Sequence, residues 1–205
     1  VLSPFGRTTR NALLAGLSFV TLLVSLLLMK SVLAGGTAVY VMGGESTGLA
    51  LPLGMKLPIR IIMEVDAFSA FMAVCGTVAS FAGALFSMNY MDKFTALGRF
   101  VSLYFLLTLG MLGMMITGDI FNFFVFLEIA SIASIGLIAF WRDRPEAVEA
   151  SFKYMLISQV SSMVFLIAAG ALYGKYNALN MAAIGGLIKP GTMEKLALVF
   201  LVGTL

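Results

Sequence analysis

The chain has 205 residues, of which 60% are hydrophobic and only 11% are charged, and its mean hydropathy is +1.03. This composition excludes an ordinary soluble domain and predicts an all-α fold, a polytopic transmembrane helical bundle. The net charge of +3 comes from 13 basic and 10 acidic residues that fall mainly between the apolar segments. This distribution indicates that the basic residues set the orientation of the spans in the membrane, and it predicts no nucleic-acid partner. With no histidine and one cysteine, Cys75, the sequence predicts no metal site, no cofactor and no internal disulfide.

Six apolar segments follow one another along the chain. Charged and turn-forming residues separate them, and a loop rich in turn residues, where a short hairpin is an option, joins the first to the second. We expect five complete spans and the start of a sixth in one transmembrane domain over residues 1–205, with the spans at 11–33, 67–90, 100–117, 119–140, 147–173 and 196–205. Because there is no initiator Met and the last apolar segment still runs at Leu205, we interpret the chain as an internal portion of a longer one.

Several residues are typical of helix ends or helix contacts. Asp66 and Asp119 are candidate N-caps of the second and fourth spans. Pro145 suits the first position of the fifth span, and Gly174 is expected to end it. The small residues of the third span that let a neighbouring helix approach closely are Gly110 and Gly113.

Basic residues predict the orientation in the membrane. Alternating sides along the chain gives two faces, and the one with shorter loops and denser arginine is assigned to the cytoplasm. That face carries Arg7, Arg10, Lys93, Arg99, Arg142 and Arg144, and the opposite face carries Lys56, Arg60, Lys175, Lys189 and Lys195.

The fourth apolar segment has one carboxylate in its middle, Glu128. It lies nine residues after Asp119, which is about 13 Å along a helix and near the middle of a hydrocarbon core about 30 Å thick. A carboxylate at that depth costs roughly 2.5–3.5 kcal/mol, and such residues typically belong to ion or proton pathways. The alternative is a protonated carboxylic acid that only joins helices by hydrogen bonds.

The fifth span carries a second charge, Lys153. It lies about 12 Å along its helix from Pro145, whereas Glu128 lies about 20 Å from Trp141 on the same side. The short loop makes the two helices antiparallel neighbours. The lysine could reach toward Glu128, directly or through water, so that the proton affinity of the glutamate would depend on the position of the ammonium. Alternatively, Lys153 only extends to the membrane surface.

Hydroxyl and amide groups accompany the two charges. They either line a hydrated path or form hydrogen bonds between helices, and the sequence does not decide between the two. The candidates are Asn122, Ser131 and Ser134 on the fourth span and Ser158, Gln159, Ser161 and Ser162 on the fifth.

These motifs resemble a known family. The stretch GDIFNFFVFLEIASIASIGLIAF, followed 25 residues after its glutamate by the lysine of EASFKYMLISQVSS, resembles the antiporter-like proton-channel subunits. That family is shared by respiratory complex I (NADH-quinone oxidoreductase), the Mrp sodium/proton antiporters and the group 4 membrane-bound hydrogenases. The sequence DIFNFFVFLE is most similar to the Mrp D-type and hydrogenase H-type members. IIMEVDAFSAFMAVCGTVAS and ALYGKYNALNMAAI extend the resemblance from Ile61 to Leu205.

The resemblance implies roles for both charges. Glu128 corresponds to the glutamate of the family's fifth helix and Lys153 to a lysine on the sixth. The family fold has two inverted repeats, each with a broken helix and a central lysine. The partner lysine of the glutamate belongs to the seventh helix, which here has only begun at Leu196.

We therefore expect an ion-translocating subunit of a multi-subunit redox-driven complex or of an Mrp-type antiporter. It would move protons, with sodium exchange left open, through a path that contains Glu128 and Lys153. Its partners would be the lipid bilayer and other membrane subunits, including sister antiporter-like subunits, in a prokaryotic plasma membrane.

No bond-making chemistry is expected in the chain itself, because no nucleophile, metal-ligand set or cofactor loop is present, and redox chemistry would reside in a partner. One alternative is a non-transporting scaffold that anchors a hydrogenase or other redox arm. Another is a stand-alone secondary transporter, which the lack of a Gly or Pro break beside Glu128 disfavours.

Overall fold

The computed structural model describes residues 7–42, 49–50, 56–57, 61–91, 97–188 and 191–203. Predictions for Arg60, Lys93, Lys189 and both chain ends lie outside them. The helices and strands of the described part, in chain order, are α1 (Arg7–Gly35), β1 (Ala38–Met42), β2 (Leu49–Ala50), β3 (Lys56–Leu57), β4 (Ile61–Val65), α2 (Ala67–Tyr90), α3 (Leu97–Ile116), α4 (Ile120–Ile138), α5 (Pro145–Tyr176), α6 (Met181–Leu187) and α7 (Thr192–Gly203).

Five of these helices are long and apolar enough to cross a membrane: α2, α3, α4, α5 and the Thr9–Gly35 part of α1. Each of them packs against the next one along the chain, and α5 also packs against α7. Short connections make α2, α3, α4 and α5 successive antiparallel neighbours, whereas the longer segment that contains the four strands joins α1 to α2. The prediction of an all-α, polytopic helical membrane fold is confirmed.

The loop between the first two spans contains the hairpin that the sequence allowed. β1 pairs with β4 in antiparallel register, with Ala38 opposite Val65 and Tyr40 opposite Met63. β2 pairs with β3 in the same sense. The hairpin brings the chain to Asp66, directly before α2.

Three predicted helix starts are confirmed. The Asp66 carboxylate accepts a hydrogen bond of 2.7 Å from the backbone N–H of Ser69, which lowers the pKa of Asp66. Asp119 accepts one of 2.9 Å from the backbone N–H of Asn122 and so caps α4. Pro145 lies in the first turn of α5. Each start is set by chemistry within one turn, which is why the sequence alone is sufficient to find it.

The predicted end of the fifth span at Gly174 is wrong. α5 continues to Tyr176 and ends at Asn177, whose φ of 49° is left-handed. A helical glycine costs only about 1 kcal/mol, so tertiary packing overrides it, and asparagine tolerates the left-handed conformation. The predicted loop that follows contains α6, where the Asn180 side chain accepts a hydrogen bond of 2.9 Å from the N–H of Ala183.

α3 and α4 pack closely through glycine, as Gly110 and Gly113 predicted. A Cβ at Gly110 would lie 2.7 Å from the backbone nitrogen of Ala130, and one at Gly113 would lie 2.1 Å from the ring of Phe126. Both distances are far below van der Waals contact. The two glycines therefore fix the separation of α3 from α4.

Buried hydroxyl pairs join the earlier helices. Ser25 and Thr77 lie 2.7 Å apart between α1 and α2, and Ser80 and Thr108 lie 3.0 Å apart between α2 and α3. Such interhelical hydrogen bonds are typical of helices in a membrane, where the apolar surroundings cannot satisfy a hydroxyl group.

Candidate functional site

The start of α4 is held on both sides by backbone hydrogen bonds. The N–H of Gly118 donates to the carbonyl of Ile62 in β4, at 2.9 Å. The N–H of Ile120 donates to Leu179, also at 2.9 Å, and the N–H of Met181 donates back to Gly118 at 2.8 Å. The segment before α4 thus lies between β4 and the connection from α5 to α6, and this fixes the position of α4 along its axis.

Glu128 lies on α4, which is one unbroken helix from Ile120 to Ile138. Its side chain is half-buried, and its Oε2 atom accepts a hydrogen bond of 3.1 Å from Nε2 of Gln159 on α5. Its Oε1 atom is buried and has no hydrogen-bond partner among the described residues. Buried polar atoms are normally paired, so an unpaired carboxylate oxygen calls for an explanation.

An open cavity of about 360 Å³ lies between α4 and α5 beside this carboxylate, and two of its lining side chains, Ile132 and Leu156, are more than half exposed. Glu128 and Gln159 bring polar groups to its lining, which is completed by the apolar side chains of Ile132, Ile135, Met155 and Leu156. A water molecule occupies about 30 Å³ in the liquid and needs polar partners. The cavity therefore has room for several water molecules and two side chains to which they can bind.

Lys153 does not contact Glu128. Its ammonium lies 2.6 Å from Oε1 of Glu149, one turn earlier on α5, and the two side chains are 70% and 65% exposed. Of the two arrangements that the sequence left open for Lys153, this structure has the one with the ammonium toward the end of the helix and away from Glu128. The physical reason is depth, because about 8 Å along the axis separates the two residues.

Gln159, and not Lys153, is the residue of α5 that contacts Glu128. It lies 14 residues after Pro145, and Glu128 lies 13 residues before Trp141 at the same end of the helix pair. Both distances correspond to about 20 Å, so the two side chains lie at equal depth. Matching depths along two antiparallel helices is the sequence signal that points to Gln159, but the contact also depends on how the two helices are rotated, which the sequence does not give.

The five predicted serines are not among the residues that line the cavity in the described part of the chain. Ser131 and Ser162 are buried, and the Ser162 hydroxyl donates to the carbonyl of Gln159 within α5, at 3.1 Å. The others, Ser134, Ser158 and Ser161, are half-buried. Their place on an ion path stays a prediction.

A buried carboxylate that sequence reasoning missed, Glu194, joins α5 to α7. Glu194 is only 3% exposed and accepts hydrogen bonds from the hydroxyl of Tyr176, at 2.8 Å, and from the ammonium of Lys175. Glu194 lies in the first turn of α7, where the helix dipole stabilises a carboxylate. This position is the sequence signal that could have identified the residue.

The fold and the site together define a polytopic membrane protein with an ionisable group inside its helix bundle. Residues 117–205 match the family described as NADH:quinone oxidoreductase/Mrp antiporter, transmembrane. The N-type subunit of the NADH-quinone oxidoreductase of Desulforudis audaxviator is 34% identical over 157 residues, which are 74% of this chain and 31% of that relative. The D-type subunit of the Na(+)/H(+) antiporter of Alkalihalophilus pseudofirmus is 29% identical over 185 residues, 88% of this chain and 35% of that one.

A solved structure shares the fold. A chain of the membrane-bound sulfane sulfur reductase, an archaeal respiratory membrane complex, superposes with a TM-score of 0.79 at 29% identity, covering 99% of this chain and 40% of that chain. Residues 117–205 therefore belong to the antiporter-like family of membrane subunits, and the relatives of the chain are subunits of NADH-quinone oxidoreductase and of an antiporter, as its motifs predicted. The chain spans about a third of the length of these curated relatives.

Proposed function

We propose that the chain forms part of an ion-translocating subunit and that protons cross it through a path containing Glu128. One observation carries this proposal. A carboxylate in the middle of an apolar helix has one oxygen bonded to Gln159 and the other buried without a partner among the described residues, beside a cavity with room for water. A carboxylate in such a place is a functional site by default.

The arrangement suits proton transfer. A carboxylate bound through one oxygen can take a proton on the other and release it to a water molecule, as a general acid and base does. Water in the cavity would give or accept this proton. Exchange of sodium is an extension of the proposal, supported by the name of the antiporter relative.

In this proposal, Lys153 acts without direct contact with Glu128. It lies one turn before Leu156, which lines the cavity, and its ammonium is exposed beside Glu149. We place it near the mouth of the path, where a charge influences how fast ions arrive.

The subunit would work within a larger membrane assembly. Several large apolar side chains point outward, which suits lipid or neighbouring subunits. The relatives are named as subunits of an oxidoreductase and of an antiporter, so sister membrane subunits are the proposed partners and the prokaryotic plasma membrane the proposed location. Any redox chemistry would belong to a partner.

A second candidate is a non-transporting scaffold. The hydrogen bond between Glu128 and Gln159 favours it, because an interhelical bond of this kind also holds helices together. In a scaffold the carboxyl group would stay protonated throughout, and replacing it with an amide would change nothing but the strength of one contact.

The test is Glu128→Gln in the parent complex, reconstituted in vesicles, with proton and sodium movement measured beside any redox activity. Glu146→Gln is the matched control, since Glu146 is an exposed carboxylate in the first turn of α5. The proposal predicts loss of ion movement in the first variant alone, with the complex assembled. Unchanged movement would leave the scaffold as the function.

A further inference from the structure

We propose that Gln159 is the positioning residue of Glu128. Its amide holds Oε2 and so leaves proton exchange to Oε1, in both protonation states of the carboxyl group. This inference rests on the proposed function and deepens it, because it names the residue that governs how the path depends on pH.

The geometry assigns different roles to the two carboxylate oxygens. Oε2 of Glu128 is bonded to Nε2 of Gln159 at 3.1 Å, whereas Oε1 is buried and unpaired among the described residues. Both residues line the cavity. A side chain whose orientation is fixed by a neighbour presents the same atom at each turnover, as a functional group must.

The chemistry of an amide suits a proton carrier better than that of an ammonium. A glutamine N–H can donate to an ionised carboxylate and equally to the carbonyl oxygen of the protonated acid. A lysine in the same place would favour the ionised form strongly and oppose proton uptake. With Lys153 paired to Glu149, the amide is the direct polar contact of Glu128 from α5.

Other titratable groups near α4 do not enter the cavity lining in the described part of the chain. On α3, the Tyr104 hydroxyl donates to the carbonyl of Ser80, away from Glu128. The titratable side chains of the elements packed against α4 are Glu64 on β4, Arg99 and Tyr104 on α3, Glu146, Glu149, Lys153, Tyr154, Tyr173, Lys175 and Tyr176 on α5, and Glu194 and Lys195 on α7.

The test compares the pH profile of transport in the reconstituted parent complex between wild type and two variants. Gln159→Leu removes the donor and disfavours ionised Glu128, so the profile should move to higher pH by about one unit. Gln159→Glu places a second carboxyl group against the first, so the profile should move further and spread over a wider pH range. Met163→Leu, an exposed position one turn further along α5, is the control and should leave the profile unchanged.

A second measurement reads the protonation of Glu128 without transport. Carbodiimides react with protonated carboxyl groups, so the labelling of Glu128, followed by mass spectrometry across pH, should shift in the same direction in both Gln159 variants. If Gln159→Leu assembles poorly, the labelling of Glu128 in Gln159→Glu still tests the role of Gln159, because this variant keeps the size and polarity of the side chain.

The outcomes separate the two proposals. If Glu128→Gln abolishes transport while both Gln159 variants keep the wild-type profile and labelling, Gln159 does not position Glu128 and this inference is overturned alone. If Glu128→Gln transports normally, the proposed function itself is overturned. A shift to higher pH in both variants, together with loss of transport in Glu128→Gln, supports both.

Discussion

Glu128 is energetically expensive where it lies. A charged carboxylate at mid-membrane depth costs roughly 2.5–3.5 kcal/mol on insertion scales, whereas an interhelical hydrogen bond in a membrane contributes about 0.6–2 kcal/mol. The bond from Gln159 therefore does not offset the cost of ionisation by itself. The remaining cost would be offset by hydration of the carboxylate from the adjacent cavity or avoided by its protonation, and a proton carrier alternates between these two forms.

Lys153 offers a prediction at the same scale. Because its ammonium pairs with Glu149 and lies about 8 Å from the level of Glu128, Lys153→Ala should slow transport by about tenfold or less and leave the pH profile in place. The measurement is the transport rate across pH in vesicles. A displaced profile would show that the ammonium reaches Glu128 during turnover, which the structure does not display.

The depth of Glu128 was predictable, but its partner was not. A hydropathy pattern places a single carboxylate along one helix without reference to any other element. The contact with Gln159 depends in addition on the relative rotation of α4 and α5, which the sequence does not give. The charge of Lys153 made it the more conspicuous candidate, although its depth matches less well.

At the scale of elements, the contact between α3 and α4 determines where Glu128 lies. Gly110→Ala would place a methyl group 2.7 Å from the backbone nitrogen of Ala130, and backbone cannot move aside as a side chain can. The variant should lose about 1–3 kcal/mol of stability through overpacking. Thermal unfolding of the purified protein in detergent is the measurement.

Gly170→Ala is the matched control for this prediction. Gly170 lies within α5, and nothing would contact an added Cβ within 4 Å. Because alanine is more favourable than glycine inside a helix by up to about 1 kcal/mol, this variant should be as stable as the wild type or slightly more stable. Equal unfolding temperatures for the two variants would mean that α3 and α4 are not packed as described.

Helix starts were easier to predict than helix ends. Asp66, Asp119 and Pro145 act within one turn of chain, so their sequence context is sufficient. α5 passes Gly174 because its packing against α7 outweighs a weak local preference. The bond between Glu194 and Tyr176 joins residues 18 positions apart, which no local pattern indicates.

At the scale of the whole molecule, the described part of the chain has five helices long and apolar enough to cross a membrane, and three of them, α2, α3 and α4, separate Val39 from Glu146. A cysteine at Glu146 should therefore react with a membrane-impermeant reagent from the cytoplasmic side, and one at Val39 in β1 from the other side. Both positions are exposed, and the background would be Cys75→Ser. Labelling of both from one side would contradict the three crossings between the two positions, and reversed labelling would contradict the orientation.

The central claim is that protons pass through Glu128, and ion movement in the parent complex tests it most directly. Initial rates of proton movement would be compared between wild type, Glu128→Gln and Glu146→Gln in the same vesicles, at equal amounts of assembled complex. We predict that Glu128→Gln reduces the rate to background and that Glu146→Gln keeps the wild-type rate. A wild-type rate in Glu128→Gln would contradict the account, because the ions would then cross without this carboxylate.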